Sequence, residues 1–268
     1  MMLVLLISLT LVADSPNLSQ EFRRDFTKGD FDLLLTGPGA GEAVVLGRGG
    51  VQIKLPGGHK EVPPVGFASR MPVRGDFEIT VSYGDLAIET PLKGSGVGLS
   101  LYITLNSPRQ EAASVAHLLS PKGRYAFIAH RAQTPPKGAR HHDIESMPAK
   151  AGGGKLRLSR TGSTLHYLTA QGGGDFQQIH QFEVGLEDLD LIRVAVEPGK
   201  VQSGVSVLIP DLMVRADEFP GTMKAISRRT LRLAVGGLAA LMGCVGAVAG
   251  WWLYKRRGSQ VSPVSEAR

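Results

Sequence analysis

Apolar and polar side chains alternate along much of the chain before residue 220, which is the pattern of half-buried β-strands. In "GDFEITVSYG" the residues Phe77, Ile79, Val81 and Tyr83 fall on one face, and "GVGLSLYITL" has the same period of two. Other predicted strands are "FDLLLTG", "AVVLGRG", "VQIKLPG", "RYAFIAH", "KLRLSR", "TLHYLTA", "LIRVAVE" and "GVSVLIPDLMVRA". Turn sequences such as "LPGG", "SPKG" and "EPGK" separate nearly all of them. Residues 107–119, "SPRQEAASVAHLL", have the composition of a short helix.

The number and spacing of these segments predict an all-β fold. Roughly a dozen strands in about 200 residues favour a two-sheet antiparallel β-sandwich or jelly roll, with an up-and-down barrel as the alternative. The stretch "KLRLSRTGSTLHYLTAQGGGDFQQIHQF" predicts three successive strands joined by the turns "TGS" and "QGGGD". Leu156 and Leu158 there alternate with Arg157 and Ser159.

This strand and turn order resembles the concanavalin A-like lectin/glucanase superfamily, which includes laminin-G-like sandwiches. "LRLSRTGSTL", a short aromatic strand, a glycine-rich turn and a "DF" strand carry the resemblance. "GDFEITVSYG" and "VSVLIPDLMVRAD" resemble the central and final strands of that fold. The resemblance covers residues 22–217 and implies a concanavalin A-like sandwich. It also places the chain beside membrane-anchored domains of unknown function with this layout.

The first 13 residues, "MMLVLLISLTLVA", are too short to span a bilayer and have the length of a signal-peptide apolar region. No Lys or Arg precedes this run, and Leu11 occupies a position where a small residue is usual before a cleavage site. The alternative is an apolar strand at the start of the domain. We expect a signal peptide over residues 1–13 and the sandwich over residues 14–220.

Residues 233–254 form a 22-residue segment without a charged side chain, which predicts one C-terminal transmembrane helix. Trp251, Trp252 and Tyr254 lie at one end, where amphipathic rings favour the membrane interface. A basic juxtamembrane linker (221–232) precedes the helix, and a basic cytoplasmic tail (255–268) follows it. Small residues at a spacing of four, as in Gly246 and Gly250, give the helix a face suited to forming a homo-oligomer.

The positive charge of the chain is concentrated around this segment. The formal net charge is +6, yet eight of the 30 basic residues follow Thr222, and the body of the chain is close to neutral. This distribution favours a lipid bilayer as partner and argues against nucleic acid. Four basic residues lie on each side of the segment, so topology depends on the signal peptide. With it, the ectodomain is exported, periplasmic or extracellular, and the C-terminus is cytoplasmic; without it, the domain is a tail-anchored cytoplasmic one.

No catalytic motif is present, so we expect a non-enzymatic protein. The glucanases of the superfamily carry Glu-x-Asp-x-x-Glu or Glu-x-Asp-x-Glu on one strand, and this chain has neither. The densest group of chemically active side chains is "HHDIES", whose candidate metal ligands are His141, His142, Asp143 and Glu145. A solvated long loop over residues 132–154 is the preferred interpretation of this region. No cofactor is expected, although the resemblance implies that calcium could bind in loops.

Among the aromatic residues, Tyr83, Tyr102, Tyr125 and Tyr167 could stack on sugar rings, but core packing is expected for those on alternating apolar faces. The remaining histidines have no partner visible in the sequence: His59, His117, His130, His166 and His180. We therefore expect a membrane-anchored sandwich that binds a glycan or a protein partner. A glycan-active hydrolase of the same fold and a purely structural ectodomain of a membrane complex are the alternatives.

Overall fold

The computed structural model describes residues 18–28, 33–58, 63–199 and 203–220. Several expectations fall outside this part of the chain: the signal peptide (1–13), the linker (221–232), the membrane segment (233–254), the tail (255–268) and the isolated His59. Among the described residues, no helix has the length and apolar character needed to cross a membrane.

The described elements are almost entirely strands. They are β1 (Gln20–Asp25), β2 (Leu34–Thr36), α1 (Ala40–Ala43), β3 (Val44–Gly47), β4 (Gly50–Leu55), β5 (Val65–Ser69), β6 (Arg74–Ile88), β7 (Val97–Leu105), β8 (Ala112–Leu119), β9 (Tyr125–Gln133), β10 (His141–Pro148), β11 (Gly154–Thr161), β12 (Thr164–Gln171), β13 (Gln177–Glu183), β14 (Leu189–Glu197) and β15 (Val205–Glu218).

These strands form two antiparallel sheets. The eight-stranded sheet has the order β13-β12-β11-β6-β15-β4-β3, with β1 paired to β15 beyond the region that β4 occupies. The seven-stranded sheet has the order β10-β9-β8-β7-β14-β5-β2. This arrangement confirms the all-β two-sheet sandwich. The barrel alternative is wrong, because the described strands form two sheets that each end in their own edge strands.

The core lies between the two sheets, where the alternating apolar residues of each strand meet. Phe77, Ile79 and Val81 of β6 are fully buried, as are Leu99 and Leu101 of β7. Each large apolar side chain removed from water contributes about 1.5–3 kcal/mol, so this interface is the main favourable contribution to folding. The inward alternation of β6 and β7 also fixes which residues of the same strands point outward.

The region around residues 155–182 folds as the sequence predicts. β11 pairs with β12, and β12 pairs with β13, all antiparallel. Gly162 has φ +57°, a conformation that glycine adopts without steric cost in the tight turn between β11 and β12. Leu156 and Leu158 are buried in the core. Arg160 lies on that inner face too and is 1% exposed, which the alternation alone did not predict.

Two expectations about local structure are wrong. Residues 112–119 form strand β8 instead of part of a helix, because pairing with β7 and β9 overrides the local helix preference of an alanine-rich segment. Residues 141–148 form strand β10, paired along its length with β9, instead of belonging to a solvated loop. The loop prediction failed because β10 is an edge strand with polar side chains on both faces.

Candidate functional site

The outward side of the seven-stranded sheet carries a row of functional side chains. Register places Arg193 of β14 beside Tyr102 of β7, Tyr102 beside Ser114 of β8, and Ser114 beside His130 of β9. We call these four residues the polar row. Their strand neighbours Leu101, Ile103 and Val115 point into the core, so the polar row faces away from it.

The polar row is flanked on the same face by residues that are mostly small. On one side the register places Ala195, Ser100 and Ala116 next to one another, followed by Ile128 of β9. On the other side it places Thr104, Ala112 and Ala132 next to one another, followed by His142 of β10. The polar row itself runs across the strands rather than along them.

Arg193 packs against the ring of Tyr102, with the guanidinium carbon 4.5 Å from the ring centre. A cation over an aromatic face at this distance is attracted by the ring quadrupole. Burial raises the pKa of the Tyr102 phenol, and the positive charges of Arg193 and Arg140 act in the opposite direction. Tyr102 is therefore protonated at neutral pH, and its hydroxyl can donate a hydrogen bond.

The charge of Arg193 is incompletely neutralised. Its side chain is buried, with the residue 5% exposed, and its Nε and Nη2 atoms have no hydrogen-bond partner. Nη2 lies 4.0 Å from Oε1 of Glu197, which is beyond hydrogen-bond distance. That same oxygen accepts a 2.7 Å hydrogen bond from the hydroxyl of Ser100. The Glu197 carboxylate thus forms a hydrogen bond with Ser100 but not with Arg193.

At the other end of the polar row, two histidine rings lie edge to edge. Nε2 of His130 lies 2.9 Å from Nδ1 of His142, and the ring planes are 5° from parallel. Burial, and then the charge of His142, lowers the pKa of His130 to about 4. Burial and the charge of Arg140 lower the pKa of His142 as well. Both rings are neutral at pH 7, so one donates the shared hydrogen bond and the other accepts it.

Carboxylates are scarce on this face. Among the paired strand residues that the structure describes there, Glu197 is the one acidic side chain. Retaining and inverting glycosidases generally use two carboxyl groups on opposite sides of the scissile bond. The face therefore offers hydrogen-bond donors and an aromatic ring without the acid and nucleophile pair of that mechanism.

The four candidate metal ligands occupy two sides of β10. His142 points outward to His130, whereas Asp143 points toward the space between the sheets and accepts hydrogen bonds from Arg131 at 2.9 and 2.6 Å. His141 Nε2 lies 2.8 Å from Oδ1 of Asp143, and Glu145 is exposed. In the part of the chain that the structure describes, no three such ligands converge on a point.

Of the four tyrosines considered for sugar stacking, Tyr83 and Tyr167 are buried in the core, as the alternation predicts. Tyr125 packs beside the buried His117 with ring centres 5.3 Å apart. Tyr102 is the one of the four on the outward face. Sequence reasoning did not select Arg193, although a charged residue within the apolar strand "LIRVAVE" was a visible signal.

Solved structures of other proteins are similar to this chain at low sequence identity. A glycoside hydrolase family 16 endo-glucanase from Bacteroides ovatus has 11% identity and a TM-score of 0.50, covering 72% of this chain and 99% of that chain. The apo Crh5 transglycosylase has 9% identity and a TM-score of 0.51, covering 75% and 86%. A legume lectin-like domain from Entamoeba histolytica has 14% identity and a TM-score of 0.45, covering 68% and 88%.

The similarity to the endo-glucanase and the transglycosylase identifies the fold as a concanavalin A-like sandwich, in agreement with the resemblance carried by the strand and turn order. No curated protein matches the sequence. One family model matches residues 7–234, which is most of the chain. The chain therefore belongs to the family described as protein of unknown function (DUF1583) C domain.

Proposed function

We propose that the sandwich is a non-catalytic glycan-binding domain whose ligand lies across the polar row. One observation carries this proposal: Tyr102 lies beside the hydrogen-bonding side chains of Arg193 and Ser114 on the outward face of the sheet. Sugar rings are bound by aromatic faces that stack on their C–H groups and by polar groups that fix their hydroxyls. A row of such side chains that crosses several strands suits an extended oligosaccharide.

One further observation supports a glycan over other ligands, and another favours binding over hydrolysis. The superposed endo-glucanase and transglycosylase act on glycans by name, and they share the concanavalin A-like fold with this chain. Binding without hydrolysis is favoured because Glu197 is the one carboxylate among the described, paired residues of the face. A hydrolase and a purely structural ectodomain remain alternative outcomes of the experiment below.

The experiment is a screen of the full chain in detergent against immobilised oligosaccharides, followed by calorimetry with any ligand found. Tyr102→Ala should weaken binding about tenfold, since loss of one stacking ring removes roughly 1–3 kcal/mol. The matched control is Phe176→Ala, which removes an aromatic ring that packs over Arg157 on the opposite sheet. Equal losses in both variants, or no glycan bound at all, would contradict the proposal. Cleavage that Glu197→Gln abolishes would favour the hydrolase.

We also propose that residues 233–254 anchor this domain to a lipid bilayer, with the sandwich on the exported side and the tail in the cytoplasm. The uncharged 22-residue segment and its basic flanks support the anchor, and the apolar start of the chain supports export. The full chain should stay with membranes in alkaline carbonate, and protease should digest the sandwich once the outer barrier of the cell is opened. Release by carbonate would contradict the anchor, and full protection until lysis would favour a cytoplasmic domain.

A further inference from the structure

The buried arginine of the polar row points to the chemical class of the ligand. We propose that the glycan carries carboxylate groups, as in a chain of uronic acids, and that one carboxylate binds the Nε and Nη2 edge of Arg193. This inference rests on the proposed glycan-binding function and narrows it.

The two unpartnered nitrogens of Arg193 are the ones that matter for this ligand. Nε and Nη2 carry N–H groups along one edge of the planar guanidinium, spaced to meet the two oxygens of a carboxylate. Neither nitrogen has a hydrogen-bond partner, and both are shielded from solvent. An arginine buried without its full set of partners is unfavourable in the free protein, so a ligand that completes the set gains affinity.

Arg160, the other buried arginine in the part of the chain that the structure describes, shows what a purely structural role looks like. Arg160, which is 1% exposed, donates to the backbone oxygens of Gly185, Glu187 and Gly75 through its Nη atoms. It joins the connection between β13 and β14 to the start of β6, although its Nε is also buried without a partner. Arg193 makes no such bond to the backbone in the described chain, and its best placed acceptor is the Glu197 oxygen 4.0 Å away. Arg193 thus has the burial of a structural arginine without the hydrogen bonds.

Glu197 is the group that a ligand carboxylate would replace. Its side chain is 29% exposed, and its Oε1 is already held by Ser100 at 2.7 Å. A ligand carboxylate entering beside Arg193 displaces Glu197 toward solvent, which uncovers the Nε and Nη2 edge. Arg140 adds a second positive charge close enough to act on both Tyr102 and His130. The local charge therefore favours an anionic ligand once Glu197 has moved aside.

The test compares ligands that differ only in the carboxylate. Binding of oligogalacturonates to the full chain is measured by calorimetry beside the same oligomers with their carboxyl groups methyl-esterified. We expect the acid form to bind at least about tenfold more tightly, as one charge-assisted bidentate pair allows. Arg193→Lys keeps the positive charge but loses the paired N–H donors of the guanidinium. It should therefore remove most of the preference for the acid form over the ester. Glu197→Gln should strengthen binding of the acid form, because it removes a competing carboxylate.

The exposed Arg48→Met serves as the control and should leave both affinities unchanged. Stability supplies a second readout: Arg193→Met should fold with an unchanged or higher melting temperature, since it removes a buried charge that lacks partners.

Equal affinity for acid and ester would overturn the carboxylate inference and leave glycan binding intact. Binding of neutral glycans, without binding of acidic ones, would also overturn the carboxylate inference while supporting glycan binding. Failure to bind any oligosaccharide would overturn both proposals, and a large loss of stability in Arg193→Met would assign Arg193 a structural role.

Discussion

The hydroxyl of Tyr83 and Nδ1 of His117 lie 2.7 Å apart, and this hydrogen bond joins the two sheets through the middle of the core. Tyr83 belongs to β6 of one sheet and His117 to β8 of the other. His117 is fully buried, and its Nε2 has no hydrogen-bond partner among the described residues. A polar pair in this position couples the stability of the sandwich to protonation.

The first prediction concerns pH. Burial lowers the pKa of His117 to about 4 from its ordinary 6.5, so between these values the unfolded chain binds a proton that the folded chain does not. The free energy of unfolding should therefore fall as pH drops from 6.5 toward 4, by about 3 kcal/mol from this residue. Urea titrations across that range measure the slope. His117→Gln should make the slope shallower and leave the contribution of His130, whose pKa burial also lowers to about 4. His166→Gln, at a more exposed position, should not change the slope; equal slopes in the two variants would contradict the assignment.

A second prediction concerns Arg160, whose buried side chain donates to three backbone carbonyl groups and lies 4.9 Å from the centre of the Phe77 ring. Arg160→Met leaves those carbonyls without their charged donor, so we expect a loss of about 3 kcal/mol in the free energy of unfolding. The midpoint of chemical denaturation reports it. Arg48→Met, on the surface, should stay within about 0.5 kcal/mol of the original chain. Similar midpoints for the two variants would show that the interior hydrogen bonds contribute little.

The outward face of the eight-stranded sheet provides a third prediction. Glu78 is 3% exposed there and accepts a hydrogen bond from Nη1 of Arg157 at 2.9 Å, while Nε of Arg157 donates to Thr80. A double-mutant cycle with Glu78→Gln and Arg157→Met should give a coupling free energy of about 1–3 kcal/mol, because each single change leaves a covered group without its partner. A cycle between Glu78 and Lys93, which lies on a distant loop, should be additive. Additivity in the first cycle would contradict the prediction.

A fourth prediction separates the side chains once grouped as metal ligands. Burial favours the neutral form of Asp143, but hydrogen bonds from Arg131 and His141 outweigh it and lower the pKa of the carboxyl group. Asp143→Asn should therefore destabilise the chain by about 1–2 kcal/mol at neutral pH, an effect that shrinks as pH falls below the ordinary pKa. Glu145→Gln, two residues away and exposed, should change stability by no more than about 0.5 kcal/mol. If divalent cations raised the melting temperature and His141→Ala removed that increase, the result would support a metal site at these residues.

The sequence predicted the central strands because their alternation is strict and their burial is one-sided. Residues 77–83 of β6 and residues 97–105 of β7 carry an apolar residue at every second position, and such a period specifies both the strand and its inner face. β8 and β10 were missed for opposite reasons. The alanines of β8 favour helix in isolation, and only its two partner strands impose an extended conformation. The polar residues of β10 give no apolar face because one of its sides is an edge of the sheet.

The sequence did not predict the candidate site because its residues come together only through strand pairing. Arg193 and Tyr102 meet because β14 pairs with β7, and no local pattern encodes the register between strands so distant in the chain. His130 and His142 likewise meet through the pairing of β9 with β10, the strand that was missed. A site assembled across five strands depends on pairing, which follows from the packing of the whole sandwich.

The pairing of β1 with β15 has a mechanical consequence. Ser19 donates to the backbone oxygen of Asp217, and the amide of Phe219 donates to Gln20, so both ends of the sandwich lie side by side. A pull on residue 220 is directed along β15, which is hydrogen-bonded to β6 on one side and to β1 and β4 on the other. Those bonds run across the strand and are loaded together in shear instead of opening one at a time. The strand closest to the proposed anchor is therefore the one best placed to carry tension from a bound ligand to the membrane.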